Sequence, residues 1–420
     1  MDDSVVITRV VLKNYKSIAG CSVSLSPLTF LVGQNGAGKS NFLDALRLVS
    51  ESLNTSLEHA MRERGGINEV RRRSSGHPTH FGIRLNFNLP EGGSGFYAFK
   101  VGAKPQGGFQ VQREECRISR IPKHRGLRVL KRQRLRISRD PDESFYVVHN
   151  GRVEHSRPHP LPPASDDRLF LVAASSLPEF RPLYNCFTRM GFYNLNPDEI
   201  RDLQPADAGE VLLRDGGNLA SVLNFLDRQN PAAKKQIVEL LALVVPGVTD
   251  VTTKPMGKKE TIEFRQKMGG NGSPWRFSAE NMSDGTLRAL GILTALFQSF
   301  PAENSPGMPL VGIEEPELAL HPGAAGVLRD ALGIASRHAQ ILVTSHSPDL
   351  LDDKSISDRN ILAVINRNGE TIIGPITDKD RDAIRDRLFT AGELLRLGEL
   401  TPDVEKIHQT PAQELELFDP

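Results

Sequence analysis

Four short stretches of this 420-residue chain hold the residues whose types and spacing could act together on a phosphate. The first is "LVGQNGAGKSN", residues 31–41. Gly33, Gly36 and Gly38 let the backbone turn through conformations that other residues resist. Successive amide N–H groups can then converge on phosphate oxygens as an anion nest. Lys39 can reach the β- and γ-phosphates, and the Ser40 hydroxyl can sit on Mg²⁺. Gly33, Gln34, Asn35, Gly36, Ala37, Gly38, Lys39, Ser40 and Asn41 form the predicted phosphate cradle. The second stretch is "MPLVGIEEPELALHP", residues 308–322, whose apolar run ends on two adjacent carboxylates. Glu314 could hold Mg²⁺ through water, opposite Ser40, and Glu315 would then polarise an attacking water. In the third, "SAENMSDGTLRALGILTALF" (278–297), Ser283 can cap a helix while its exposed N–H groups grip an anion. The fourth, "QILVTSHSPDLL" (340–351), ends an apolar strand at His346, which could touch a γ-phosphate.

These residues need strands and helices to aim them. "LTFLV" (28–32) reads as a buried strand, and Phe42, Ala45, Leu46 and Val49 follow at helical spacing. Strand, glycine loop and helix N-terminus is the context that a phosphate-binding loop requires. Leu310–Ile313 and residues 340–343 read as two more buried strands, and Leu287, Leu290, Leu293, Ala295 and Leu296 as one helix. Residues 80–160 alternate short apolar–polar strands with Gly/Pro/Asp turns, predicting an antiparallel β lobe. "LASVLNFL" (219–226) and "AAKKQIVELLALVV" (232–245) read as helices of a further lobe. No heptad run is long enough for a coiled coil, and no 20–50-residue repeat appears.

The order of the four motifs resembles the ABC-class ATPases of the RecF, SMC and OLD (overcoming lysogenization defect) type. "ITRVVLKNYKSIAG" is similar to their first strand, with its aromatic–basic–serine element at Tyr15, Lys16 and Ser17. More narrowly, the chain resembles the stand-alone AAA/ABC ATPases of prokaryotic genomes, with "SLEHAMRERGGINEVRRRS" and "LFTAGELLRLGEL" adding to the likeness. The resemblance implies a P-loop head in which two copies sandwich ATP. Lys39 and Ser40 of one copy would face Ser283, Asp284 and Gly285 of the other. Glu315 would activate water, with Lys39 and His346 completing the catalytic set. Two departures stand out: no Gln lies between Gln34 and Gln106 to supply the Q-loop, leaving Gln106, Gln110, Gln112 or another residue for that role. The Mg²⁺ carboxylate is Glu314 where many ABC proteins have Asp.

The expected fold is therefore α/β: an ABC-class P-loop head with an inserted antiparallel β lobe and a helical lobe. The expected division is 1–75 and 266–400 for the two halves of the ATPase core, with 76–177 as β lobe, 178–265 as helical lobe and 401–420 as tail. A formal net charge of +1 names no partner, and three widely spaced cysteines read as free thiols of a reducing compartment. With no apolar run near the ~18 residues that span a bilayer and no signal-peptide pattern, the expected location is the cytoplasm. The run 117–139 holds ten Lys/Arg and no acidic residue. Arg128, Lys131, Arg132 and Arg134 within it could attract DNA or RNA through phosphates, or dock an acidic partner. The D-x-D of Asp378 and Asp380 reads as part of a helix cap with Thr377 rather than as a nuclease metal site. By resemblance, the function expected is an ATP-hydrolysing switch that forms a homodimer or higher homo-oligomer around Mg-ATP. It would serve a prokaryotic, anti-phage defence system with a separately encoded effector. The alternative is a RecF-like ATPase that clamps DNA in repair or recombination.

Overall fold

The computed structural model describes residues 5–74, 76, 78–90, 92–120, 143–156, 161–267, 273–300, 307–409 and 411–419. The chain opens with a hairpin, β1 (Val6–Tyr15) and β2 (Ile18–Ser24), then β3 (Leu28–Val32) and α1 (Lys39–Asn54). Two short helices, α2 (Leu57–Arg62) and α3 (Ile67–Val70), lead into β4 (His80–Asn88), β5 (Gly93–Ala103), β6 (Phe109–Arg120), β7 (Glu143–His149) and β8 (Arg152–His155). Next come α4 (Leu171–Ala174), α5 (Arg181–Thr188), β9 (Gly191–Tyr193), α6 (Pro197–Arg201), β10 (Gln204–Pro205), α7 (Leu219–Gln229) and α8 (Pro231–Val244). The remainder supplies β11 (Val248–Met256), β12 (Lys259–Gln266), β13 (Trp275–Ser278), α9 (Asp284–Phe297), β14 (Leu310–Glu314), α10 (Ala325–Ala335), β15 (Gln340–Ser345), β16 (Ile361–Arg367) and β17 (Glu370–Pro375).

The central frame is a six-stranded sheet in the order β17-β16-β3-β15-β14-β9, in which only β17 runs antiparallel to its neighbour. Both its faces are covered, which is why its strands read as continuous apolar runs rather than as alternation. Leu31, Leu310, Leu342, Leu362 and Val364 face one core with α1 and the antiparallel sheet. Phe30, Val32, Val311, Ile313, Ile341, Val343, Ile361 and Ala363 face the other core, with α7, α8, α9 and α10. Successive residues thus alternate between two interiors. Helix α9 is buried from Thr286 to Phe297, the behaviour of a helix that is apolar on every side.

The second large sheet has seven antiparallel strands in the order β2-β1-β4-β5-β6-β7-β8. The strands expected within residues 80–160 are in it, but so are β1 and β2, because β1 pairs with β4 from Val6 to Lys13. The sheet therefore continues the N-terminal hairpin rather than standing apart as an insertion. Gln340 bolts the two sheets together: its side chain accepts from the Ile7 N–H (2.7 Å) and donates to the Ile7 carbonyl (2.8 Å). Glu114 lies buried in this lobe and accepts from Tyr97 Oη (3.1 Å), Tyr146 Oη (2.8 Å) and the N–H groups of Phe170 (2.5 Å) and Leu171 (2.8 Å). Burial pushes its carboxyl up to about 7, against the pull of those four donors.

The segment 178–265, expected to be helical, is mixed. α7 and α8 stand where the apolar spacing predicts, and Asn230 between them caps α8 by accepting from Ala233 N–H (3.2 Å). Beside them, β10, β11 and β12 form a small sheet that β13 joins through β12, and β9 belongs to the six-stranded sheet. Short β-branched runs such as "VTDVTT" were outweighed in the sequence by the stronger helical periodicity around them. The tail motif is a cap: Thr377 Oγ1 accepts from Asp380 N–H (3.3 Å) and donates to its carboxylate (2.7 Å). The three cysteines are free and buried.

Candidate functional site

The glycine loop leaves the end of β3 and closes on the first turn of α1. Gly36 (φ 77°) and Gly38 (φ 101°) occupy the left-handed region, where a side chain would be strained. Packing sets the other constraint: a Cβ on Gly33 would overlap the Val364 carbonyl, and one on Gly38 would overlap the Thr371 side chain. The loop is thus moulded by β16 and β17, more than 300 residues downstream. A hydroxyl chain fixes it. Asn41 Nδ2 donates to Ser17 Oγ (2.7 Å), Ser17 and Thr371 share a hydrogen bond (2.7 Å), and Thr371 Oγ1 donates to the Ala37 carbonyl (2.8 Å). Because Thr371 has a single proton and spends it on Ala37, Ser17 is the donor in the middle bond.

Lys39 is 4 % exposed, and its ammonium donates to the carbonyls of Gly33 (2.7 Å) and Gln34 (3.0 Å). Burial lowers its pKa, with Glu315 and Glu317 pulling the other way. Gln34, Asn35, Gly36 and Ser40 are exposed at the mouth of the loop. One turn along α1, Asp44 gathers Tyr15 Oη (2.8 Å), Lys16 (2.6 Å), Arg47 (2.7 Å) and Arg64 (2.9 Å). Burial opposes its ionisation, but Arg64 and Lys16 outweigh that and hold its carboxyl far below the usual carboxylate range. The aromatic–basic–serine tip of the first hairpin therefore grips both the loop, through Ser17, and its helix, through Tyr15 and Lys16.

Parallel pairing aligns the other motifs beside the loop. Val32 is opposite Ser345, and Thr344 opposite Glu314, so three motif ends lie at neighbouring C-terminal strand edges, where open α/β sheets bind ligands. Glu315 has φ 43°, held by its N–H donating to Thr344 O (2.9 Å) and Oγ1 (3.2 Å). A non-glycine residue there stores about 1–3 kcal/mol of strain and marks a position whose aim matters. Its carboxylate lies 3.3 Å from His346 Nδ1 and 3.8 Å from Lys39 Nζ. Glu317 accepts from Ser345 Oγ (2.6 Å) and His346 N–H (3.2 Å), which fixes the histidine's backbone. Glu314 pairs with Arg214 (2.7 Å).

Ser283 caps α9 by accepting from Thr286 N–H (3.3 Å), Asp284 pairs with Arg201, and a Cβ on Gly285 would overlap the Ala319 carbonyl. Among the described residues, no hydrogen bond or ion pair joins residues 283–285 to residues 33–41 of the same chain. The helix does reach the carboxylates from behind: Arg288 donates to the carbonyls of Leu195 (2.6 Å), Glu314 (3.3 Å) and Glu315 (3.1 Å). Burial lowers the Arg288 pKa against the attraction of Glu317 and Glu315.

The structure therefore brings Lys39, Glu315 and His346 together with Glu314 alongside, and among the described residues no hydrogen bond or ion pair ties the Ser283 motif to the glycine loop. Gln110 and Gln112 lie on β6 and Gln106 in the turn before it, and none bonds to the phosphate loop or the carboxylates. Arg128, Lys131, Arg132 and Arg134 lie outside the described residues. Sequence reasoning missed Thr371, Arg214, Arg288 and Glu317. Arg288 carried a signal, a cation inside an otherwise apolar helix; Arg214 carried none. No group of three or more His, Cys, Asp or Glu among the described residues could hold a metal by itself, and no described helix is long and apolar enough to cross a membrane.

Residues 28–352 match the family described as an AAA domain, putative AbiEii toxin, Type IV TA system. No curated protein matches the chain. Solved structures share the fold, which is that of an SMC head ABC-type ATPase. One is an Smc head bound to the C-terminal winged-helix domain of ScpA, with TM-score 0.53, 15 % identity and coverage of 89 % of this chain and 99 % of that one. The Pyrococcus furiosus Smc head with an extended coiled coil, bound to the C-terminal domain of ScpA, gives TM-score 0.53 at 13 % identity over 91 % of this chain and 99 % of that one. The Pyrococcus yayanosii Smc head with coiled coil and joint gives 0.53 at 12 %, with the same coverages.

Proposed function

Because the chain belongs to that AAA-domain family, we propose that it binds and hydrolyses Mg-ATP and closes as a homodimer around the nucleotide. The observation that carries this reading is the convergence of Lys39, Glu315 and His346 at three adjacent strand ends, while no hydrogen bond or ion pair among the described residues joins residues 283–285 of the same chain to the glycine loop. The residues fit the ligands. The loop's shape excludes side chains at Gly33 and Gly38, and the buried Lys39 ammonium spends its protons on loop carbonyls that an anion can replace. Ser40 and Glu314 supply the hard oxygen donors that suit Mg²⁺. Bound there, Mg²⁺ would neutralise phosphate charge.

The chain's own groups then have distinct work. The loop N–H groups and Lys39 bind phosphate oxygens. Glu315, held at positive φ, accepts a proton from water, and His346 steadies the Glu315 carboxylate or donates to a phosphate oxygen. Ser283, Asp284 and Gly285 of a second copy complete the site. Exposed Val211, Leu213 and Leu318, on segments that carry Arg214 and follow Glu315, suit a face that another copy covers. The family's description names a putative toxin of a Type IV TA system, which supports a toxin–antitoxin-like defence setting; a separately encoded effector is part of the proposal.

Glu315→Gln tests the reading. It should keep Mg-ATP binding, slow hydrolysis by more than about a hundredfold and accumulate an ATP-dependent dimer in light scattering. Lys39→Ala should instead lose nucleotide affinity. Wild-type turnover by Glu315→Gln would remove Glu315 from its role.

A further inference from the structure

Glu314, the carboxylate assigned above to Mg²⁺, is paired with Arg214 (2.7 Å), its one side-chain partner among the described residues. Arg214 is not a wandering surface cation. It sits in the turn "RDGGN" (214–218), which is fixed from several directions. Asn194 N–H donates to the Arg214 carbonyl and Asn196 N–H to the Asp215 carbonyl, both at 2.9 Å. Leu213 N–H donates to Asn218 Oδ1 (2.8 Å), and Leu212 N–H to Gln298 Oε1 (3.0 Å). Gly216, at φ 89°, fits where a Cβ would press on Ile200 and Leu195. Leu195 is in turn the residue whose carbonyl Arg288 holds while also binding those of Glu314 and Glu315. The turn and the acidic strand end are thus one braced assembly, and its backbone contacts hold Arg214 at the place from which its guanidinium meets the carboxylate.

We propose that Arg214 is a latch on the metal carboxylate: it neutralises Glu314 in the resting protein and competes with the divalent cation for it. The proposal rests on the reading of Glu314 as the metal's residue. A carboxylate so close to a guanidinium attracts a second cation less strongly than a free one, so the Arg214 pair works against metal capture. Release is feasible because the Arg214 side chain is 45 % exposed, and water can take it over. The latch would make Mg²⁺ occupancy, rather than nucleotide alone, the event that frees a cation beside exposed Val211 and Leu213.

The test measures Mg²⁺ affinity calorimetrically on the full chain loaded with a non-hydrolysable ATP analogue, together with nucleotide affinity in EDTA and melting without metal. Arg214→Ala and Arg214→Met should each raise Mg²⁺ affinity by about two- to tenfold, the scale of a partly exposed pair, with nucleotide affinity in EDTA unchanged. Glu314→Gln should weaken Mg²⁺ binding, and adding Arg214→Ala to it should change nothing further. If Glu314→Gln weakens Mg²⁺ while the Arg214 variants only melt lower, Arg214 is a structural brace and the latch is overturned. If Glu314→Gln binds Mg²⁺ as wild type does, the metal assignment itself fails and the latch falls with it.

Discussion

Replacing Thr371 by Val tests whether the phosphate loop depends on a strand far downstream. Valine keeps the shape that packs against Gly38 and removes the hydroxyl alone. Two hydrogen bonds go: the one donated to the Ala37 carbonyl (2.8 Å) and the one shared with Ser17 (2.7 Å). Ala37 is buried, so its carbonyl loses a partner that water cannot easily replace. At about 1 kcal/mol for each net bond, the loop loses roughly 2 kcal/mol of preference for its binding shape. If that loss falls on binding, nucleotide affinity drops by about 30-fold. The assay is calorimetric titration with a non-hydrolysable ATP analogue, with Thr371→Ser as the control that keeps the hydroxyl and should stay within about threefold of wild type. A folded Thr371→Val protein that binds as tightly as wild type would show that strand register and glycine packing shape the loop unaided.

Ser283→Arg places a bulky cation on the cap of α9; ATP binding by a single protomer should persist while ATP-dependent dimerisation fails, and full dimerisation in light scattering would count against a sandwich. Mixing it with Lys39→Ala should restore at most one competent composite site. Glu114 gives a pH signature. Its carboxyl is raised from about 4.5 to about 7 on folding, so the folded state binds a proton that the unfolded state releases between those values. That contribution is fully present below pH 4.5 and is lost as pH rises through 7; over the window it amounts to on the order of 3 kcal/mol. Glu114→Gln should therefore flatten the dependence of melting temperature on pH between 5 and 8, and an unchanged slope would show that burial is outweighed by the four donors.

The strand ends of the candidate site were legible in the sequence because each motif carries local punctuation: glycines before a helix, paired carboxylates after an apolar run, a histidine just past another. What joins them was not. Thr371 lies on an ordinary alternating strand, and nothing around it marks contact with Gly38. Arg214 meets Glu314 across 100 residues, a pairing that no periodicity encodes. The small sheet of β10 to β13 was hidden for a different reason. β10 and β13 are only two and four residues long, β11 is half-exposed over its nine, and their register depends on a partner rather than on their own pattern. The hairpin tip was recognisable as an element, but the Asp44 that it grips is also held by Arg64, from the turn after α2, which no local pattern announces.

The moulding of the phosphate loop by β16 and β17 bears on the order in which the protein is made. Synthesis runs from the N-terminus, so the glycine loop emerges well before the strands that shape it. The carbonyl of Val364 and the hydroxyl of Thr371 follow it by more than 300 residues. A nascent chain therefore carries an unfinished cradle until β16 and β17 have been made and inserted beside β3. The shape of the loop is in this way a report that synthesis has passed β17.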